Sequence, residues 1–257
     1  MNRLVQTLVL LILTLPGLAL SQTSWKGTNN TDWSKSQNWT NGVPTATVDA
    51  IIGDASFTGS HQPNLSAGTS FCKSLTIGAG TKVSTLTADK NLTVSGNITI
   101  GANGTVAQNG ANISFTGNWS NSGSYTIAGG AVVTCSGTTQ SITGTTTFKT
   151  LVVNAGSTTT IDNAITVTSQ LTVNGTFDPH NSPTYAVSGA GKLAVNATGV
   201  AYVRASTFAG NYAMSGSPAL NNTSTIDYAA TTINQTVTNS VTYGTLRISG
   251  GFTKTIS

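Results

Sequence analysis

The side chains able to do chemistry are few and scattered. All seven carboxylates are aspartates (Asp32, Asp49, Asp54, Asp89, Asp162, Asp178 and Asp227), and there is no glutamate. Glycoside hydrolysis needs two carboxyl groups about 5–10 Å apart. Asp162 and Asp178 lie 16 residues apart. In a winding chain that spacing sets them on neighbouring turns, with Lys149 and Arg204 the nearest cations by turn count. A polysaccharide lyase or glycosidase on a β-helix would use such a cluster. The plainer reading makes both aspartates turn residues, because Asp178 precedes Pro179 and Asp162 precedes Asn163. His61 and His180 are the only histidines. Each sits close to proline in a loop-like stretch and is expected to be solvated. No Gly-x-Ser-x-Gly elbow supports a serine nucleophile, and no His/Cys set has zinc-ligand spacing. The sequence therefore assigns no catalytic, cofactor-binding or metal-ligating residue, and the chain is expected not to be an enzyme.

The frame around these residues is unusual. Thr (47), Ser (28), Gly (28) and Asn (23) make up about half of the 257 residues, and only 7% are charged. Such a chain is poor in helix formers and rich in strand and turn formers, which predicts an all-β fold. Hydrophobic residues reach 38% and alternate regularly, which argues against disorder. The net charge of +4 is dispersed. Without clustered Lys/Arg, no nucleic-acid partner is expected.

Short apolar–polar–apolar triplets recur: Leu75-Thr-Ile77, Leu92-Thr-Val94, Ile98-Thr-Ile100, Ile113-Ser-Phe115, Leu151-Val-Val153, Leu171-Thr-Val173, Leu246-Arg-Ile248. One set starts at 75, 92, 113, 132, 151, 171 and 193, a period of about 20 residues. That period, with short period-2 strands, predicts a parallel β-helix or β-solenoid of about 20 residues per coil. The Gly and Asn residues between triplets suit its corners. About nine coils at about 4.8 Å would form a rod of about 40–45 Å. Cys72 and Cys135 would then sit about three coils, or about 14 Å, apart and stay as free buried thiols. A longer repeat aligns Thr134–Ile161 with Ala229–Ile256 at an offset of 95 without a gap. It places Gln140 on Gln235, Phe148 on Tyr243 and Leu151 on Leu246, and reads as inward residues on equivalent coils.

Residues 1–21 carry a positive start (Arg3), an apolar run (Leu8–Leu15), a Pro-Gly break and a small-residue cleavage site before Gln22. They read as a secretory signal peptide. No later stretch is apolar enough to span a bilayer, so the mature chain is not expected to insert in a membrane. The second repeat copy stops at Ser257 without a polar cap. The expectation is a C-terminally truncated chain that continues into further repeats or a sorting domain.

Residues 25–54 follow the pattern W-x-G-x4-D-W-x4-N-W-x2-G-x-P-x4-D. Three tryptophans there (Trp25, Trp33, Trp39) can cover the open end of the first coil, with Asp32 and Asn38 accepting from turn N–H groups. This opening, together with the Gln140-Ser-Ile142…Phe148-Lys-Thr-Leu151-Val-Val pattern, resembles the large secreted β-solenoid repeat proteins of Bacteroidota-type bacteria. Many of those are exported by the type IX secretion system. Passengers of autotransporter adhesins look broadly similar. The resemblance implies a secreted protein of the bacterial cell surface, an adhesin-like stalk or display scaffold, meeting extracellular glycans or proteins. The domain reading is 1–21 signal peptide, 22–60 Trp-rich cap and 61–257 solenoid repeats. A carbohydrate-active β-helix enzyme is the alternative. An ice-binding solenoid is a second, suggested by Thr85-Leu-Thr87, Thr158-Thr-Thr160, Thr166-Val-Thr168 and Thr236-Val-Thr238. Those triplets do not recur at one coil position.

Overall fold

The computed structural model describes residues 21–257. The signal-peptide reading of 1–21 thus falls almost wholly outside the described residues. From Gln22 onward the chain winds into a β-solenoid of about 10 turns with about 21 residues per turn. Every strand pairing is parallel, and one isolated antiparallel bridge joins Trp25 to Trp39. An eleven-stranded sheet runs the length of the stack, from Gln22–Ser24 to Thr245–Ile248. A ten-stranded sheet forms a second side. A four-stranded sheet (Asn64–Leu65, Ser84–Ala88, Gly104–Asn109, Ser124–Ala128) forms a third over the first half. Beyond it the strands Thr147–Val153 and Ile165–Val173 lengthen and turn the corner through a register shift between Phe148 and Thr150.

Period-2 alternation explains the core. In a strand, alternate side chains face opposite ways, so each triplet points its two apolar ends inward and its middle residue outward. Leu92, Ile113, Val133, Leu151, Leu171 and Leu193 stack in one inward column. All are buried, and each side chain removed from water contributes about 2 kcal/mol. Two details differ from the sequence reading. Val133, not residue 132, occupies the inward position. Leu75 is buried but belongs to the eleven-stranded sheet, above Ala50 and below Ile98. Several triplets fall in each turn, and their resemblance hides which side each occupies. A neighbouring inward column reads Cys72, Val94, Phe115, Cys135. The two cysteines are therefore three rungs apart, and both are free and buried.

The Trp-rich segment closes the first coil. Trp25, Trp33 and Trp39 are buried and meet edge to face, with ring centroids 5.1 and 4.7 Å apart. Trp25 Nε1 donates to the His61 carbonyl (2.7 Å) and Trp39 Nε1 to that of Trp33 (2.8 Å). Asn38 Oδ1 accepts from the N–H groups of Asn29 and Asn30, and Asp32 Oδ1 from that of Ser34. The segment also supplies the strands Gln22–Ser24 and Asp49–Ile52 to the long sheet.

The long internal repeat has a structural meaning that the alignment alone did not show. Gln140 is buried, accepts from Gly137 N–H (2.8 Å), and donates to the carbonyls of Phe115 (3.1 Å) and Gly117 (2.8 Å) in the coil below. Gln235 does the same, accepting from Ala230 N–H (3.0 Å) and donating to the carbonyls of Val203 (2.8 Å) and Ala205 (2.7 Å). Each glutamine braces a corner between two coils. Yet the corners are on different sides. Gln140 enters the eleven-stranded sheet, whereas Gln235 leaves it for a two-stranded sheet with Lys254–Ile256. The copies are out of phase by one side of the coil. The second copy also departs from the inward expectation, since Leu246, Ile248 and Ile256 are exposed on the last described winding.

Candidate functional site

The outer face of the eleven-stranded sheet carries two adjacent columns of outward side chains. The register defines them. The first strands place Asp49 and Ile51 in these columns. From Ser74 to Thr143 they hold only hydroxyls and amides: Ser74, Asn97, Asn118 and Ser141 in one, and Thr76, Thr99, Ser120 and Thr143 in the other. Asn97 Oδ1 accepts from Asn118 N–H and Asn118 Oδ1 from Ser141 N–H, so the amides form a ladder. The character then changes. After Thr160, the first column continues as Asp178, Tyr202, Asp227 and Arg247. The second, two residues along each strand, continues as Asp162, His180, Arg204, Ala229 and Ser249. Pro179, Val203 and Tyr228 point inward between them, and Phe177, Ala201 and Ile226 point inward just before the first column, which fixes this orientation.

Ion pairs lock the block together. Arg204 grips Asp178 with two parallel bonds, Nε to Oδ1 (3.0 Å) and Nη2 to Oδ2 (2.7 Å), and its Nη1 donates to the Ala229 carbonyl (2.6 Å). Its guanidinium lies 4.3 Å from the centre of the Tyr202 ring, within cation–π range. Burial works against the Arg204 charge, but the hydrogen bonds and charge of Asp178 prevail and raise its pKa. The Asp227 side chain is only 2% exposed. It accepts from Arg247 Nε (2.8 Å) and from Ser249 Oγ (2.9 and 3.0 Å). The Asp227 hydrogen bond in turn raises the Arg247 pKa. Asp162 Oδ1 meets His180 Nδ1 at 2.8 Å. A shallow cleft of about 440 Å³ opens over Tyr202, Arg204, Asp227, Thr231, Arg247 and Ser249. Asn181 reaches across to its rim and exchanges hydrogen bonds with Thr231. A second, more apolar pocket of about 250 Å³ lies between Leu193, Phe208, Tyr212, Met214, Pro218 and Val241.

The structure brings some of the sequence candidates together. Asp162 and Asp178 do sit on neighbouring coils, and Arg204 pairs with Asp178. Asp178 also keeps its turn role, accepting from His180 N–H (3.0 Å). Lys149 does not join the group. It lies on the ten-stranded sheet and donates to the Gly129 carbonyl. His180 is not a lone solvated histidine, because the coil below presents Asp162 to its ring. His61 is exposed. Among the described residues no group of three or more His, Cys, Asp or Glu could hold a metal ion. The four Thr-x-Thr triplets fall on four different sheets.

Tyr202, Asp227, Arg247, Thr231 and Ser249 were missed from sequence. A signal existed. The middle residue of the apolar-ended triplets is Thr or Ser through much of the first half. It becomes Tyr202, Asp227 and Arg247 in Ala201–Val203, Ile226–Tyr228 and Leu246–Ile248.

Residues 24–129 match a family model described as a domain of unknown function (DUF8693). The match covers the Trp-rich segment and the first windings and ends before the charged block. No curated protein and no solved structure gives a match.

Proposed function

We propose that the chain is an exported repeat scaffold of a bacterial cell surface, structural and adhesive rather than catalytic. It meets extracellular glycans or proteins through the side of its stack. The observation that carries this reading is the ordered outer face of the long sheet, with neutral hydroxyls and amides from Ser74 to Thr160 and then charged and aromatic side chains fixed by their own ion pairs. A face whose side chains are already immobilised loses little entropy on docking. The leader-like residues 1–21 support export.

The test has two parts. Antibody should label intact producing cells, and beads coated with purified protein should be retained on immobilised extracellular glycans or proteins. Labelling that needs cell lysis, or beads that wash off every surface, would overturn the proposal. Release of reducing ends from a bound glycan would overturn its non-catalytic part.

A further inference from the structure

We infer that the cleft over Tyr202, Arg204 and Arg247 binds the carboxylate of a uronate-bearing polysaccharide laid along the stack. The inference rests on the adhesive reading and names its ligand. It follows from which hydrogen-bonding groups are left open. Both oxygens of Asp178 are occupied by Arg204, and both oxygens of Asp227 by Arg247 and Ser249. The carboxylates are thus closed as acceptors. The donors are not. Arg247 uses Nε for Asp227, and its guanidinium carbon lies 5.9 Å from the centre of the Tyr202 ring, while its Nη groups meet no carboxylate or carbonyl among the described residues. The Thr231 oxygen accepts from Asn181, which leaves its hydrogen free to donate. A cleft that offers N–H and O–H but few acceptors selects an acceptor-rich ligand.

Charge points the same way. Lys254, with Nζ on the Ala230 carbonyl (3.1 Å) and within reach of the Asp227 charge, adds a third cation to Arg204 and Arg247. Within and beside the cleft Asp178 and Asp227 oppose them, and Asp162, farther along the face, is paired with His180, so the cleft itself favours an anion. The paired Nη groups of a guanidinium match the two oxygens of a carboxylate. Beyond the cleft the same face continues as Thr160, Ser141, Asn118 and Asn97, at about one coil of 4.8 Å per step. Hydroxyls and amides at a regular spacing suit the hydroxyls of an extended sugar chain.

The experiment is a binding titration of the full chain with polygalacturonate and with its methyl ester, which keeps the backbone and removes the charge. The acid should bind, and the ester should bind at least tenfold more weakly. Arg247→Lys retains the cation beside buried Asp227 but loses the fork. It should keep the wild-type fold by circular dichroism and lose at least tenfold in affinity. Lys90→Gln, on another side, should bind as wild type. Equal binding of acid and ester, or full affinity in Arg247→Lys, overturns the inference. Beads held by polyglutamate or neutral glycans but not by polygalacturonate also overturn it while leaving the adhesive reading intact. Beads held by nothing end both.

Discussion

Replacing Gln140 with Leu tests the corner brace directly. Leucine is close to glutamine in volume, so the change removes hydrogen bonds with little change in packing. The Phe115 carbonyl keeps a second partner in Ser136 N–H (2.9 Å). The Gly137 N–H and the Gly117 carbonyl have no other donor or acceptor among the described residues. Orphaning a buried N–H costs about 1–3 kcal/mol, and each lost bond about 1 kcal/mol more. The expected loss is about 3 kcal/mol. Each coil contacts only its neighbours, so unfolding need not be two-state. The sharper assay is therefore amide exchange at Gly137, which should speed up about a hundredfold, since 1.4 kcal/mol is a factor of ten. Urea titration supplies the global figure. Gln235→Leu orphans Ala230 N–H in the same way and should cost a similar amount. If both variants lose under 1 kcal/mol and the Gly137 amide keeps its protection, the brace is a contact without consequence and the account of the internal repeat fails.

Gly144 has φ +86°, and a Cβ there would overlap the Asn121 carbonyl oxygen. Gly144→Ala should cost about 2 kcal/mol or more in urea titration, and a loss under 1 kcal/mol would speak against the tight corner. Cys72 and Cys135 are fully buried, and burial pushes both thiol pKa values up, that of Cys135 to about 12. Neither should react with a thiol reagent at pH 8 in the native protein, and both should react in guanidinium; fast native labelling would contradict the packed interior. The Asp89 pKa is held below its ordinary value by side-chain hydrogen bonds from Asn109 and then Asn64. A depressed folded pKa stabilises above the unfolded value, about 3.9, and the effect fades as pH falls through the folded one. The stability gap between wild type and Asp89→Leu should therefore be largest above about pH 4 and narrow below it. A gap that widens with acid would refute the sign.

The winding was legible because one physical rule, apolar ends in and middle residue out, repeats along the chain. The same rule gave the burial of Leu151 and Leu171 and the separation of the two cysteines. It misplaced Leu75, because triplets on different sides of a coil look identical until register is known. It had less hold on the four-stranded sheet, where Ser84 and Gln108 face inward among apolar neighbours. The charged block was half visible. Asp162, Asp178 and Arg204 stood out as isolated charges, but Tyr202, Asp227 and Arg247 acquire meaning only when the coils align. A spacing of 20 to 25 residues carries no chemistry by itself; stacking makes those residues neighbours.

The two glutamine-braced copies, set one side apart, also say something about how such a rod can lengthen. A segment that brings its own corner can serve any flank of the prism, so an insertion need not add whole revolutions. Adding a third of a revolution keeps the interior continuous and swings everything downstream to a new azimuth. In this architecture the length of an insertion decides which way a distant patch faces, which makes heading as easy to vary as height.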